Sequence, residues 1–348
     1  MDMKYKSQDG GGDLFAFIEH QKRATQTQRG IAKLRTIIPW EELFRDVLED
    51  LLGYKERDTS KGGRPPFDPV FMLKVLVLQK FHGLSDQATE EQIADRFSFM
   101  DFLGLRPGDE IPDANTIWGF REALDLEGRE GTRKLFATLN GYLDEIGIVG
   151  REGSLVDASF VDAPRQRMSR AENEKVKQGE RPVSLDENPH KGCQKDSDAR
   201  WAKKGQETHY GYKNHTNVDA KSKVITEYAV TAAHVHDSQV LKEVVGADDQ
   251  AVFADSAYRS EEIEKYLLEE CDAEDFIQEK AFRGQELSKE QQNQNKKRSR
   301  IRVRVEHVYV RMKQVAMDQV RTIGMHRAEQ QIGLCNLVYN IDRLAVLR

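Results

Sequence analysis

Two aspartates stand where an ionised side chain is expensive. Asp157 lies inside SLVDASFV and Asp255 at the end of AVFAD, both dense apolar runs that read as buried strands. A carboxylate in such a setting must be salt-bridged, spent on a backbone cap, or open to water at a strand end. Any of these accounts for either residue alone. Their joint occurrence allows another chemistry: adjacent strands lie about 4.8 Å apart, so two carboxylates could converge on one cation. Hard divalent ions such as Mg²⁺ take oxygen ligands, usually one or two carboxylates plus phosphate. Glu306 is the third candidate, the one acid among the eight Lys and Arg of residues 295–313. It either balances surface charge or belongs to a site that grips a polyanion, since phosphate contacts come mostly from Arg and Lys.

Other constellations carry less. His234-x-His236-Asp237 lacks a further paired ligand for zinc, and Asp237 reads better as a helix N-cap. Asp162 is five residues beyond Asp157, so on a strand it points to the other face. Asn214 and His215 could approach a phosphate or simply line a strand. Trp40, Trp118 and Trp201 read as packing residues, although Trp201 beside Lys203 and Lys204 could stack on an unpaired base. SKGGRPP lacks the spacing of a phosphate-binding P-loop, so no nucleotide cofactor is expected.

The elements that must position these residues divide near Gly150. With 348 residues, 38% hydrophobic and 32% charged, the chain can bury a sizeable core over two or three domains. No apolar run is long enough to span a membrane, and no apolar core follows the first lysines, so a soluble cytoplasmic protein is expected. Cys193, Cys271 and Cys335 lie far apart, which fits a reducing compartment. The net charge of −6 hides a segregation: residues 85–130 hold 12 acids against 4 bases, the reverse of 295–313. Residues 1–62 read as an arm and short helices, with a helix near 40–53. Residues 63–150 read as an α-helical unit: an all-round apolar helix at 70–83, one from Ser85 to Gly104, one after Asp113, and one at 132–147. The second and third of these resemble a helix-turn-helix, but they are acidic and would repel phosphate, so ordinary packing is the better reading.

Beyond Gly150 the spacing predicts strands at 153–163, 209–220, 223–232 and 251–258, with a turn at Lys221 and Ser222 and a helix at 238–245. Residues 164–208 are too polar to bury themselves and read as a long loop or insertion. Apolar positions 305, 308, 312, 315 and 316 recur at helical spacing, although RIRVRVEHVYV also fits a strand.

Together these segments resemble the DDE transposases of bacterial insertion sequences, in particular groups 4 and 5. LVDASFVDA is similar to the family's first-Asp strand, HYGYKNHTNVD to its second-strand block, and VFADSAY to its second-Asp strand. GRPPFDPVFMLKVLVLQ and IPDANTIWGFREAL resemble its N-terminal helical region. The family signature Y-x2-R-x3-E-x6-K is met by Arg302, Glu306 and Lys313, with Ser299 in place of the tyrosine. The resemblance implies an α/β RNase H-like catalytic domain over 151–348, a mixed sheet flanked by helices, behind an all-α N-terminal domain that binds DNA or dimerises. It implies that Asp157, Asp255 and Glu306 hold two Mg²⁺ ions, with Mn²⁺ able to substitute. Arg302, Lys313, Arg298, Arg300 and Lys213 become the expected DNA contacts. The implied partners are the element's terminal inverted repeats, target DNA and a second copy of the chain. Two rivals stand beside this reading: a transposase-derived protein that only binds DNA, and an RNase H-like nuclease that cuts without strand transfer.

Overall fold

A computed structural model describes residues 31–54, 65–126, 128–281, 286–315 and 317–348. The expected arm before residue 31 and most of the Gly/Pro loop at 59–69 lie outside these ranges. Seven helices come first: α1 (Ile31–Ile37), α2 (Trp40–Leu52), α3 (Pro69–Phe81), α4 (Asp86–Asp95), α5 (Phe97–Leu103), α6 (Ala114–Leu124) and α7 (Gly131–Glu145). Nine of the thirteen α3 residues are buried, so this helix is enclosed on all sides, as its composition requires. Ser85 caps α4 and Asp113 caps α6 through their side-chain oxygens. The single helix expected from Ser85 to Gly104 is broken at Arg96, whose backbone is extended. The break turns Phe99 and Phe102 into the core.

The second half is built on a six-stranded mixed sheet in the order β2-β3-β1-β5-β6, with β4 also paired to β3. Its strands are β1 (Ser154–Asp162), β2 (Arg200–Lys204), β3 (Glu207–Asp219), β4 (Ile225–Ala232), β5 (Ala251–Phe253) and β6 (Glu274–Asp275). β1 runs antiparallel to β3 and parallel to β5. The mixed sheet with flanking helices is the RNase H-like arrangement that the sequence implied.

Three expectations need correction. Residues 164–208 are not one long loop: they contain α8 (Arg170–Lys177), α9 (Val183–Asp186), α10 (Pro189–Gly192) and strand β2. A capping box at Ser169 and Glu172 and a Lys191–Glu172 ion pair organise them, so polar contacts supply what the segment lacks in apolar burial. The strand expected at 251–258 ends at Phe253, because Asp255 accepts the Ala257 and Tyr258 amides and turns the chain. The helix expected at 238–245 is a single 3-10 turn (Asp237–Gln239) and α11 (Leu241–Val244).

After α12 (Glu261–Glu269) and β6 comes α13 (Lys289–Arg302), a basic helix with no buried residue. A 3-10 turn (Val303–Val305) joins it to α14 (Glu306–Gln314), so the segment is helical and the strand alternative fails. Ala316, the last apolar position of the expected helix, lies outside the described residues. The final helix, α15 (Met325–Leu347), buries 15 of its 23 residues between α1, α3 and α7 on one side and β4 on the other. Gly333 makes that approach possible: a Cβ there would collide with the Tyr228 hydroxyl and the Thr132 methyl. One apolar core is therefore continuous from the helical layer, through α15, to Leu155 and Phe253 of the sheet. No described helix is long and apolar enough to cross a membrane.

Asn340 of α15 ties this helix to the sheet. Its side chain accepts the Ile225 amide at 2.9 Å and donates to the Ile225 carbonyl at 2.8 Å and to Asn140 Oδ1 at 2.9 Å. Asn340→Ala leaves the Ile225 amide without this acceptor, while the Ile225 carbonyl keeps Asn140 Nδ2, and should cost about 1–3 kcal/mol in urea unfolding. A loss below about 0.5 kcal/mol would show that the tie is not needed.

Candidate active site

The β1–β5 register explains how two distant aspartates meet. Ser154 pairs with Val252 and Leu155 with Phe253, and the same offset carried two residues further sets Asp157 beside Asp255. Alternation along β1 puts Asp157 on the face of Leu155, towards the continuous core, while Val156 faces the smaller cluster on the other side. The charge of Asp255 is felt at Asp157.

Helix α14 closes over this pair. Val305, Val308, Tyr309 and Met312 form its buried stripe. The Tyr309 hydroxyl donates to the Asp157 carbonyl at 2.8 Å and accepts from Thr216 Oγ1 at 2.8 Å, where Thr216 is the β3 partner of Asp157. One turn before α14, Arg302 Nη1 donates to Asp157 Oδ2 at 3.4 Å. Residues 302, 306 and 309 follow i, i+4, i+7 spacing, which is one helical stripe. With Arg302 and Tyr309 both on Asp157, Glu306 stands between them at the exposed edge of that stripe. As the first residue of α14 it also lies where a helix dipole favours a negative charge.

Among the described residues, no three His, Cys, Asp or Glu side chains are drawn together as a ready metal cage. Electrostatics supplies a reason: three carboxylates repel one another at close range. Arg302 instead carries the cation next to Asp157. That compensation is partial. Burial pushes the Asp157 carboxyl up to about 6, against the pull of Arg302 and the Ala158 amide; Asp255 adds to the rise, and Lys204 at the β2–β3 tip opposes it. Arg302 Nε is buried without a partner. An all-oxygen donor set with an under-compensated carboxylate suits a hard divalent cation. Asp157 and Asp255 fit such an ion as ligands, with Glu306 at the rim.

The expected DNA contacts separate into two groups. Arg300 and Lys313 are exposed and have no ion pair among the described residues. Arg298 is half-buried, with Nη1 on Glu279 at 3.1 Å and on the Ile277 carbonyl at 2.7 Å. Arg259, four residues after Asp255, reaches the same Glu279 at 3.4 Å and the carbonyl of Gln278 at 3.1 Å. Glu279 thus clasps the loop that bears Asp255 to the helix that leads to Glu306. Lys213 departs from its expected role as a surface phosphate contact. Its position on β3 alternates with Thr216, so it faces away from the carboxylates and is buried, with Nζ on Asp237 at 2.6 Å and on the Val235 carbonyl at 2.7 Å.

That pairing also corrects Asp237, expected as an N-cap: His236 accepts the Ser238 amide in its place. Asn214 and His215 are buried too. Asn214 is bonded to Asn336, and His215 to Thr231, with burial holding the imidazole down to about 4. Asp162 is exposed, 3.3 Å from His209 Nδ1. Tyr309, Thr216 and the Glu279 clasp were not singled out in the sequence. Of these only Tyr309 carried a signal, its i+3 spacing from Glu306.

The raised Asp157 carboxyl makes a signed prediction. A native acid with a raised pKa contributes stability that is full below its unfolded value, near 4, and is lost as pH rises through about 6. Without divalent ions, Asp157→Asn should therefore gain on the wild type between pH 4 and pH 7, by up to about 3 kcal/mol in denaturant unfolding. A difference that does not change with pH would mean that the carboxyl is not desolvated.

Comparison with protein families gives two matches. Residues 149–341 match the model described as "Transposase DDE domain". Residues 19–123 match one described as "Transposase domain (DUF772)". No solved structure matches the chain.

Proposed function

The chain belongs to the DDE transposases of insertion-sequence type, and from that premise we propose that it binds the terminal inverted repeats of its element, cuts there, and joins the 3′ ends to target DNA. The observation that supports this reading is that Arg302 and Tyr309, of one helical stripe, both bond to Asp157, whose carboxyl also feels the charge of Asp255. Asp157 and Asp255, with Glu306, are the residues that would hold two Mg²⁺ ions, or Mn²⁺ in their place. Such ions supply Lewis-acid activation of the attacking oxygen and charge stabilisation of the leaving oxygen in an in-line phosphodiester displacement.

The protein's own side chains do the rest. Tyr309 and Thr216 fix the height of α14 over β1. The Glu279 clasp fixes the Asp255 loop against α13. Arg302 keeps Asp157 ionised until cation and substrate arrive. Arg300 and Lys313 meet DNA phosphates, where a cation without a competing carboxylate is most effective. Placement within groups 4 and 5 of the insertion sequences rests on the Arg302, Glu306 and Lys313 spacing. Residues 63–150 serve DNA binding or dimerisation in this reading, and synapsis of two ends calls for a homodimer on DNA. A soluble protein acting on DNA in the cytoplasm completes the proposal.

Asp157→Asn, Asp255→Asn and Glu306→Gln should each abolish cleavage of a labelled element end in Mg²⁺ while leaving end binding intact. A variant that still cleaves removes its residue from the site. Lys313→Ala should lower the log–log salt slope of DNA binding by about one unit. Lys213→Met should leave that slope unchanged, since its ammonium is committed to Asp237; a drop would place Lys213 on the DNA after all.

A further inference from the structure

A polar cavity of about 310 Å³ lies where the helical layer meets the C-terminal segment, and none of its walls belongs to the carboxylate site. Lys80 at the end of α3, Arg121 of α6 and the exposed Arg321 bring three cationic side chains to it, against the single carboxylate of Asp86. That carboxylate is already spent. Asp86 takes a bidentate pair from Arg121, at 2.6 and 2.8 Å, and a bond from Gln79 at 2.7 Å. Among the described residues Lys80 donates only to the neutral amide of Gln331. Arg321 has no ion pair among the described residues.

Two donors behind this wall are buried without a partner. Arg121 is 7% exposed, and its Nε is buried with no partner; the Thr322 hydroxyl is likewise unpaired. Burial holds the Lys80 ammonium below its ordinary pKa, and a bound anion would favour its charged form. With Arg121 and Asp86 neutralising one another, Lys80 and Arg321 are left as surplus cations, and a cavity so lined is complementary to a tetrahedral oxyanion. Its volume falls at the small end of the range for ligand pockets.

We propose that the Lys80–Arg121–Arg321 cavity binds a phosphate group. The group comes either from free phosphate or from a DNA backbone, and the proposal stands independently of the carboxylate chemistry. The test is thermal unfolding of the full chain in inorganic phosphate, against chloride at equal ionic strength. A saturable rise of roughly 2 °C or more by about 10 mM phosphate is expected, lost in Lys80→Met and in Arg321→Gln. General salting effects do not saturate and act equally on the variants.

No rise, a rise that does not saturate, or an equal rise in Arg321→Gln would overturn the proposal. Arg321 is exposed, so that variant decides the matter even if Lys80→Met fails to fold. With the shift established, DNA binding separates the two sources. Phosphate that competes with DNA several-fold more strongly in wild type than in Arg321→Gln assigns the cavity to a backbone phosphate. Equal competition assigns it to the free anion.

Discussion

A carboxylate held in the middle of an apolar sheet is the constraint around which this molecule is arranged. Asp157 sits on the central β1–β3 pair, with apolar residues above and below it. Burial there disfavours its charged form and pushes the carboxyl up to about 6 even with Arg302 beside it. Arg302 answers that constraint with a charge and Tyr309 grips the Asp157 carbonyl, while the parallel β1–β5 register brings a second carboxylate, Asp255, whose charge is felt at Asp157. Asp157, Asp255 and the Arg302–Tyr309 segment come from three parts of the chain, so the site exists only when the sheet and α14 are both in place.

The supports of α14 extend outward from there. Its buried stripe shares the core with Leu155 and Phe253, and that core continues through α15 into the helical layer. The Glu279 clasp works at the other end, joining Arg259 and Arg298 across the gap between the Asp255 loop and α13. Rigid supports on elements far apart in sequence are what a site needs if carboxylates that repel one another are to be held ready for cations. The basic α13 is the complement of this rigidity: Arg298 and Arg302 are engaged by Glu279 and Asp157, while Lys296, Lys297 and Arg300 are exposed to a polyanion.

Much of the site was legible in the sequence because its chemistry is local. An acid inside SLVDASFV or at the end of AVFAD stands out against its apolar neighbours, and the intervals between Arg302, Glu306 and Lys313 follow a helical face. What the sequence hid was set by alternation and by long-range pairing. Lys213 looks like any basic strand residue until its parity with Thr216 sends it to the closed face. Arg298 sits in a basic run like Arg300, yet Glu279, nineteen residues away, claims it. The segment 164–208 read as unstructured because its order rests on capping and ion pairs, which leave no hydrophobic period. The early end of β5 depended on a turn made by Asp255 itself.

The central claim is that Asp157, Asp255 and Glu306 form one cation site. Anomalous diffraction from crystals soaked in Mn²⁺ tests it most directly. The account predicts a manganese peak bridging the Asp157 and Asp255 carboxylates, with Glu306 brought in as a ligand and the peak lost in Asp255→Asn. Manganese bound elsewhere, or bound at Asp157 with equal occupancy in Asp255→Asn, would contradict it.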